Sequence, residues 1–296
     1  MEKKLQGKVL LCGIANAGKS TIINKISQYE FALTNKKPQT TRKDIKFLYQ
    51  DDSYHILIVD TPGFHFTKNQ LDIFMNQQIY KNFKDVDVVS YICDLTHKID
   101  QEAIFFMNEL NKRASNKLVV IFTKSDLLKP EEIQAKKENK LKEISQYLNI
   151  NNHFVTGIND PNFIKKFLEL IDFGLSHQKQ IDFENQDNDN FLISETIRGV
   201  TLNLLHQEIP YGIHVHIEDT KYQSNTNLFS IEAHIICEAE AKKRIIIGKN
   251  ANKIKAIGIQ SREKLSKIYD AKIFLNLIVK VSKDWRNNKN FINKYI

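Results

Sequence analysis

The chain has 296 residues, 42% hydrophobic and 26% charged, enough for two folded domains with a core each and unlike a disordered chain. Three scattered cysteines without a Cys-x-x-Cys pair exclude a disulfide framework or a cysteine zinc site and fit a reducing cytosol, and no apolar stretch nears the ~20 residues that span a bilayer, so neither a membrane span nor a signal peptide is expected. The net charge of +8 is uneven: residues 1–189 carry 26 Lys/Arg against 25 Asp/Glu, residues 242–296 carry 15 against 3, and a basic block of that density reads as a contact for RNA, DNA or an anionic membrane, or as a solvated lysine-rich face.

Along residues 1–170, strand-like and helix-like segments alternate, the pattern of a mostly parallel sheet with helices on both faces. Strands are expected at 8–12, 46–50, 55–60, 86–93, 117–122 and 153–155, and helices at 19–28, 70–83, 100–114, 131–147 and 162–174. Pro130 before Glu131 and Glu132 is a helix start. Between the first strand and first helix lies Gly13-Ile14-Ala15-Asn16-Ala17-Gly18-Lys19-Ser20, the G-x-x-x-x-G-K-S phosphate loop. Such a loop aims backbone N–H groups and a helix N-terminus at phosphate oxygens. Gly13 and Gly18 let the backbone wrap closely, Lys19 reaches the β- and γ-phosphates, and Ser20 holds Mg²⁺. Asn16, Ala17 and Thr21 complete the expected contacts.

Three further motifs follow in order. Pro38-Gln39-Thr40-Thr41-Arg42 can fold over a nucleotide, with Thr41, or alternatively Thr40, completing the Mg²⁺ coordination. Asp60-Thr61-Pro62-Gly63 ends a strand; Asp60 can hold Mg²⁺ through water, and the Gly63 N–H can bond a γ-phosphate while it is present, which is the basis of a switch. Thr123-Lys124-Ser125-Asp126 follows an apolar strand. A carboxylate at Asp126 can accept from both N1–H and the 2-amino group of guanine, donors that adenine lacks. The Lys124 stem can cover the base. Thr156-Gly157, after the next strand, can offer an N–H to the guanine carbonyl.

Residues 177–190 are polar and acidic and read as a linker. A helix is expected at 191–207, strands at 214–218 and 228–237, helices at 241–247 and 251–268, and a last strand at 272–281. His214 and His216 share one strand face without a third metal ligand nearby. The tail 287–296 reads as polar and disordered.

At Asp60–Gly63 and Thr123–Asp126 the chain resembles the translation-factor-related GTPases, whose base motif is usually Asn-Lys-x-Asp. Thr123 replaces that Asn and is too short to bridge as an amide does, so weaker guanine affinity is expected. Phe64 stands where some GTPases carry a water-orienting Gln, so slow intrinsic hydrolysis is expected. His65 reads as solvent-facing, with a role in placing water as the alternative. In related GTPases, an Asn at the Asn16 position goes with a monovalent cation, K⁺, beside the phosphate loop. In the basic block, Ile245-Ile246-Ile247-Gly248-Lys249-Asn250-Ala251 resembles the G-x-x-G loop of a K-homology domain, which clamps single-stranded backbone. The resemblance implies RNA contacts at Lys242, Lys243, Arg244, Ile246, Gly248, Lys249, Asn250, Ala251, Lys253 and Lys255. Ala251 stands in the second glycine position, at a cost of about 1 kcal/mol if φ there is positive.

Together with Ile209-Pro210-Tyr211 and the tail 279–286, these motifs resemble the bacterial Era family over nearly the whole chain. The resemblance implies an α/β P-loop GTPase domain at 1–176, a linker at 177–190 and an α+β type II K-homology domain at 191–296. It implies GTP hydrolysis with Mg²⁺ and a checkpoint role in assembly of the small (30S) ribosomal subunit, with the C-terminal domain reading the 3′ end of 16S rRNA. It also implies a cytoplasmic monomer with peripheral membrane association. Two alternatives stay open: an RNA-binding factor that barely turns over GTP, and a GTPase acting at the membrane.

Overall fold

The computed structural model describes residues 4–27, 44–150, 152–179, 188–205 and 212–296. Thr40, Thr41 and the rest of the first switch motif, and Ile209-Pro210-Tyr211, lie outside the described residues. The chain divides into two compact units, residues 1–68 with 72–184 and residues 69–71 with 185–296.

In the first unit the elements run β1 (Leu5–Cys12), α1 (Lys19–Ser27), β2 (Ile45–Gln50), β3 (Tyr54–Asp60), α2 (Gln70–Asn82), β4 (Val88–Asp94), α3 (Gln101–Ala114), β5 (Leu118–Thr123), α4 (Pro130–Ile144), β6 (Asn152–Val155) and α5 (Phe163–Ile171). The sheet order is β2-β3-β1-β4-β5-β6, and only β2 runs antiparallel to its neighbour. β4 and β5 are buried along their whole lengths, which is why they read as unbroken apolar runs: both faces are covered. Leu10, Cys12, Leu57 and Val59 join Phe106, Leu110 and Ile144 in one core, while the alternate residues Val9, Leu11, Ile56 and Ile58 are buried on the other face. Local chemistry starts the helices where expected. The Asp100 carboxylate accepts from the Ala103 N–H (2.8 Å) ahead of α3, and Pro130 opens α4 before Glu131 and Glu132.

The second unit runs α6 (Asn188–Leu204), β7 (Ile213–Gln223), β8 (Leu228–Cys237), α7 (Glu240–Ile247), α8 (Asn252–Tyr269), β9 (Lys272–Val281) and α9 (Lys289–Tyr295). Its sheet is β7-β8-β9, with β7 antiparallel and β9 parallel to β8. β7 extends beyond the expected Glu218, with a bulge between Ile217 and Asp219. The order helix, strand, strand, helix, helix, strand matches the expectation.

The tail departs from it. Residues 289–295 form a helix, α9, whose start is capped by the Asn288 side chain accepting from the Phe291 N–H (3.1 Å). Ile292 is buried, and the Phe291 ring packs on Trp285 (5.4 Å between centroids) and His214 (5.8 Å). His216 packs edge-on against Tyr295 at 4.6 Å, so the two strand histidines support this aromatic cluster. A polar composition hid Phe291, Ile292 and Tyr295, three apolar residues at helical spacing. Trp285 is fully buried and its indole N–H donates to the Gly212 carbonyl (3.4 Å). Trp285→Ala is expected to cost about 3–5 kcal/mol, seen by calorimetry as a lower melting transition for the second unit with the first unit's transition in place.

Candidate functional site

In an open parallel sheet, the loops after the strand C-terminal ends gather along one edge. That edge brings together the turn after β1 (Gly13–Gly18), the segment after β3 (Asp60–Gly63), the turn after β5 (Thr123–Asp126) and Thr156-Gly157 after β6. These are the motifs the sequence singled out, apart from the first switch.

The phosphate loop is held by its carbonyl oxygens. The Lys19 ammonium donates to the Gly13 (3.0 Å) and Ile14 (2.7 Å) carbonyls. The Phe64 N–H also donates to Gly13 (3.0 Å). The Thr123 hydroxyl donates to the Ala17 carbonyl at 2.6 Å, with the Cys93 carbonyl further off at 3.3 Å. In a trans peptide, C=O and N–H point opposite ways, so carbonyls drawn into the protein turn the following N–H groups outward. Gly18 takes φ +100°, and a Cβ on Gly13 would lie 2.6 Å from the Ile92 carbonyl oxygen, so both glycines are required. Short as it is, the Thr123 side chain reaches the loop with its hydroxyl, because β5 ends directly behind it.

Lys19 is buried, as is the Asp60 carboxylate at the end of β3. Burial pushes the Lys19 ammonium pKa down and the negative charge of Asp60 opposes this. Ser20, the second residue of α1, and Asp60 supply hard oxygen donors of the kind Mg²⁺ takes. Thr41, the third expected metal contact, lies outside the described residues.

The segment after Asp60 rests on the phosphate loop. A Cβ on Gly63 would lie 2.8 Å from the Ala15 Cα and 3.2 Å from the Lys19 Nζ, so only glycine fits. Phe64 is buried and stacks on Phe106 of α3, with centroids 4.8 Å apart and planes 13° apart. It anchors the segment and cannot orient water. His65 departs from the expected solvent-facing residue. Its Nδ1 lies 2.9 Å from the Gly63 carbonyl and its Nε2 2.8 Å from the Asp72 carboxylate, while Asn76 donates to the His65 carbonyl (2.9 Å). The same Asp72 accepts from the Lys68 N–H (2.8 Å). α2 brings Asp72 and Asn76 under the loop, which spacing alone did not reveal.

Both ring nitrogens of His65 face acceptors, so the doubly protonated imidazolium satisfies both bonds. Burial alone would lower its pKa; the bonds to Asp72 and Gly63 and the charges of Asp72 and Glu102 outweigh it, and the pKa is raised. A raised folded value means that this stabilisation is fully present below the unfolded pKa of about 6.5 and is lost as pH rises through the folded value. An NMR titration should find the His65 midpoint above 6.5, moving down in Asp72→Asn; a midpoint unmoved by that substitution would contradict the pairing.

The turns after β5 and β6 enclose a cavity of about 210 Å³, lined by Gly18, Thr21, Lys25, Thr123, Lys124, Asp126, Thr156 and Gly157 among others. Lys124 takes φ 61°, and its ammonium pairs with Asp94 at the end of β4 (2.6 Å). This lays the Lys124 stem along the cavity wall. The Asp126 carboxylate accepts from the Ile158 N–H (2.9 Å), and a Cβ on Gly157 would lie 2.9 Å from the Asp126 Oδ1. Lys25, from α1, donates to the Gly157 carbonyl (2.8 Å). Sequence reasoning missed Lys25 and Asp94, because neither belongs to a motif spaced with its partner.

In the second unit, Gly248 ends α7 at φ +74°, and a Cβ there would lie 2.3 Å from the Asn252 side-chain oxygen. Asn250 (φ 52°) and Ala251 (φ 59°) are both left-handed before α8. Lys249 and Asn250 are exposed at the turn, and Lys255 is exposed on the first turn of α8. One expected RNA contact is corrected: Ile246 is fully buried, because it occupies the core stripe of α7. Lys242, partly exposed, is paired with Glu238 (2.7 Å), which Arg286 also engages. The positive φ at Ala251 makes the sequence-level penalty real. Ala251→Gly should stabilise the protein by about 1 kcal/mol, checked by urea unfolding; a loss of stability would contradict it.

A phosphate-loop domain of GTPase type, followed by a K-homology module, is the class this fold defines. Residues 8–124 match the family model described as a 50S ribosome-binding GTPase, and residues 208–286 match the KH domain. The GTPase Era of Ureaplasma urealyticum is 32% identical, covering 98% of this chain and 96% of its own length. That of Borreliella burgdorferi is 34% identical, covering 98% and 99%. A crystal structure of a single-substitution variant of Aquifex aeolicus Era bound to GDP·AlF4⁻ superposes with TM-score 0.86 at 23% identity, covering 98% of each chain. A structure of Era with MgGDPNP and nucleotides 1506–1542 of 16S ribosomal RNA has TM-score 0.90 at 23% identity, covering 99% of this chain and 98% of its own. The chain belongs to the Era family of GTPases, enzymes that hydrolyse GTP. Among the described residues, no helix is long and apolar enough to cross a membrane.

Proposed function

We propose that the chain is a GTP-driven switch that binds the 3′ end of 16S rRNA during assembly of the small ribosomal subunit. The observation that carries the RNA half is the α7–α8 turn: a tight Gly248–Ala251 loop with Lys249, Lys253 and Lys255, inside a block of 15 Lys/Arg against 3 Asp/Glu. The relative solved with a 16S rRNA fragment supports the same reading.

At the nucleotide edge, the N–H groups of Ile14, Ala15 and Gly18, which follow the held carbonyls, and the N-terminus of α1 bind phosphate oxygens, and Lys19 neutralises the β- and γ-phosphates. Ser20 and Asp60 would hold Mg²⁺, whose charge would offset that developing on the phosphates. The Asp126 carboxylate selects guanine, Lys124 covers the base, and Thr156-Gly157 faces its carbonyl. The Gly63 N–H bonds the γ-phosphate, so its contact is lost on hydrolysis and the segment back to Phe64 and His65 reports which nucleotide is bound. With Phe64 in the core, water is placed by backbone or a partner, and intrinsic turnover is slow. Asn16, left-handed at φ 62° and exposed in the loop, is the residue that would take K⁺ as an added counter-charge. Hydrolysis should therefore run several-fold faster in K⁺ than in Na⁺ at equal ionic strength; equal rates remove the cation from the account.

Fluorescence anisotropy with a 16S 3′-end oligonucleotide and a scrambled control tests the RNA half. Tighter, sequence-selective binding is expected with a non-hydrolysable GTP analogue than with GDP, falling steeply with salt. Equal weak binding to both oligonucleotides, alongside salt-sensitive binding to anionic vesicles, would favour the membrane instead.

A further inference from the structure

We infer that Lys25 is a positioning residue for base selection: it sets the Asp126 carboxylate through a single peptide plane. The Lys25 ammonium donates to the Gly157 carbonyl (2.8 Å), and the Ile158 N–H donates to the Asp126 Oδ1 (2.9 Å). That carbonyl and that N–H belong to the same rigid peptide group, so fixing one end orients the other. A cation on the carbonyl also polarises the group and strengthens its N–H as a donor.

The other donors to the Gly157 carbonyl are local: the Asp160 N–H at 3.3 Å and the Thr156 hydroxyl at 3.2 Å. They shape the turn but do not tie it to anything beyond itself. Lys25 comes from α1, 132 residues away, the helix that opens on the phosphate loop. It thereby links the phosphate end of the cavity to the base end. Its ammonium is fixed by packing as well as by the bond. It lies 5.1 Å from the centre of the Phe163 ring, which is buried at the start of α5 and stacked on Phe167. Asp126 and Asp160 both act on its charge, and Asp160 is already paired with Lys166 (2.9 Å), which leaves the peptide carbonyl as the short contact of Lys25.

The inference rests on the reading of this cavity as the guanine site. Isothermal titration with GDP, IDP and ADP separates the two. IDP lacks the 2-amino group, so it makes one bond to a well-placed carboxylate where GDP makes two. In Lys25→Met, GDP binding should weaken by about tenfold, IDP by less, so that the GDP:IDP preference shrinks; Lys25→Arg should keep most of it. Loss of affinity with an unchanged GDP:IDP ratio would make Lys25 a merely structural residue and overturn the inference. Wild-type protein that does not prefer GDP to ADP would instead overturn the guanine reading itself. Melting curves accompany each variant, and Lys25→Gln replaces the Met variant if that one does not fold.

Discussion

A phosphate loop can show its N–H groups to a ligand only if its carbonyl groups are satisfied from behind. Here three donors from three places do this. Lys19 folds back on Gly13 and Ile14, Phe64 reaches Gly13 from the segment after β3, and Thr123 reaches Ala17 from the end of β5. Each donor is also part of another functional element. In the proposed function Lys19 is the phosphate-facing cation and Thr123 starts the base-selecting turn, while Phe64, stacked on Phe106, anchors the segment after Asp60. The loop is therefore the common support on which switch and base turn both rest, and a disturbance in one is felt in the others through carbonyls of the same few residues.

The same device recurs at the base end. One peptide group, between Gly157 and Ile158, is held at its carbonyl by α1 and offers its N–H to Asp126. Backbone groups gripped by side chains from distant elements set the geometry. In the second unit the corresponding work is done by backbone conformation. Two successive left-handed residues, Asn250 and Ala251, carry the chain from α7 into α8 and keep Lys249 at the turn. Holding a non-glycine residue there stores strain in the part of the unit expected to meet RNA.

Much of this was legible in the sequence. Hydrophobic runs and turn residues located the strands of this sheet to within three residues, the largest miss being the start of β1 at Leu5, because strands buried on both faces and bounded by Gly, Asp or Pro leave a plain signature. The motifs at Gly13–Ser20, Asp60–Gly63 and Thr123–Asp126 were recognisable because each is contiguous. What was hidden is long-range pairing. No local pattern says that Thr123 donates to Ala17, that Lys25 meets Gly157, or that His65 is enclosed by Asp72 and Asn76. Ile246 was expected to touch RNA, yet α7 turns it into the core, with its neighbours Ile245 and Ile247 partly buried beside it. The tail misled for the opposite reason: its Asn and Lys content masked Phe291, Ile292 and Tyr295, which gain stability only by packing on Trp285 and the strand histidines.

The dependence of nucleotide binding on the rear support of the phosphate loop is most directly tested by titrating GDP·Mg²⁺ into wild-type protein and Thr123→Ala. Removing the hydroxyl leaves the Ala17 carbonyl without its donor and frees the loop from β5. GDP should then bind about tenfold more weakly, and a smaller phosphate ligand, pyrophosphate, should lose affinity in the same proportion. Unchanged affinity for both ligands in a folded Thr123→Ala variant would contradict it.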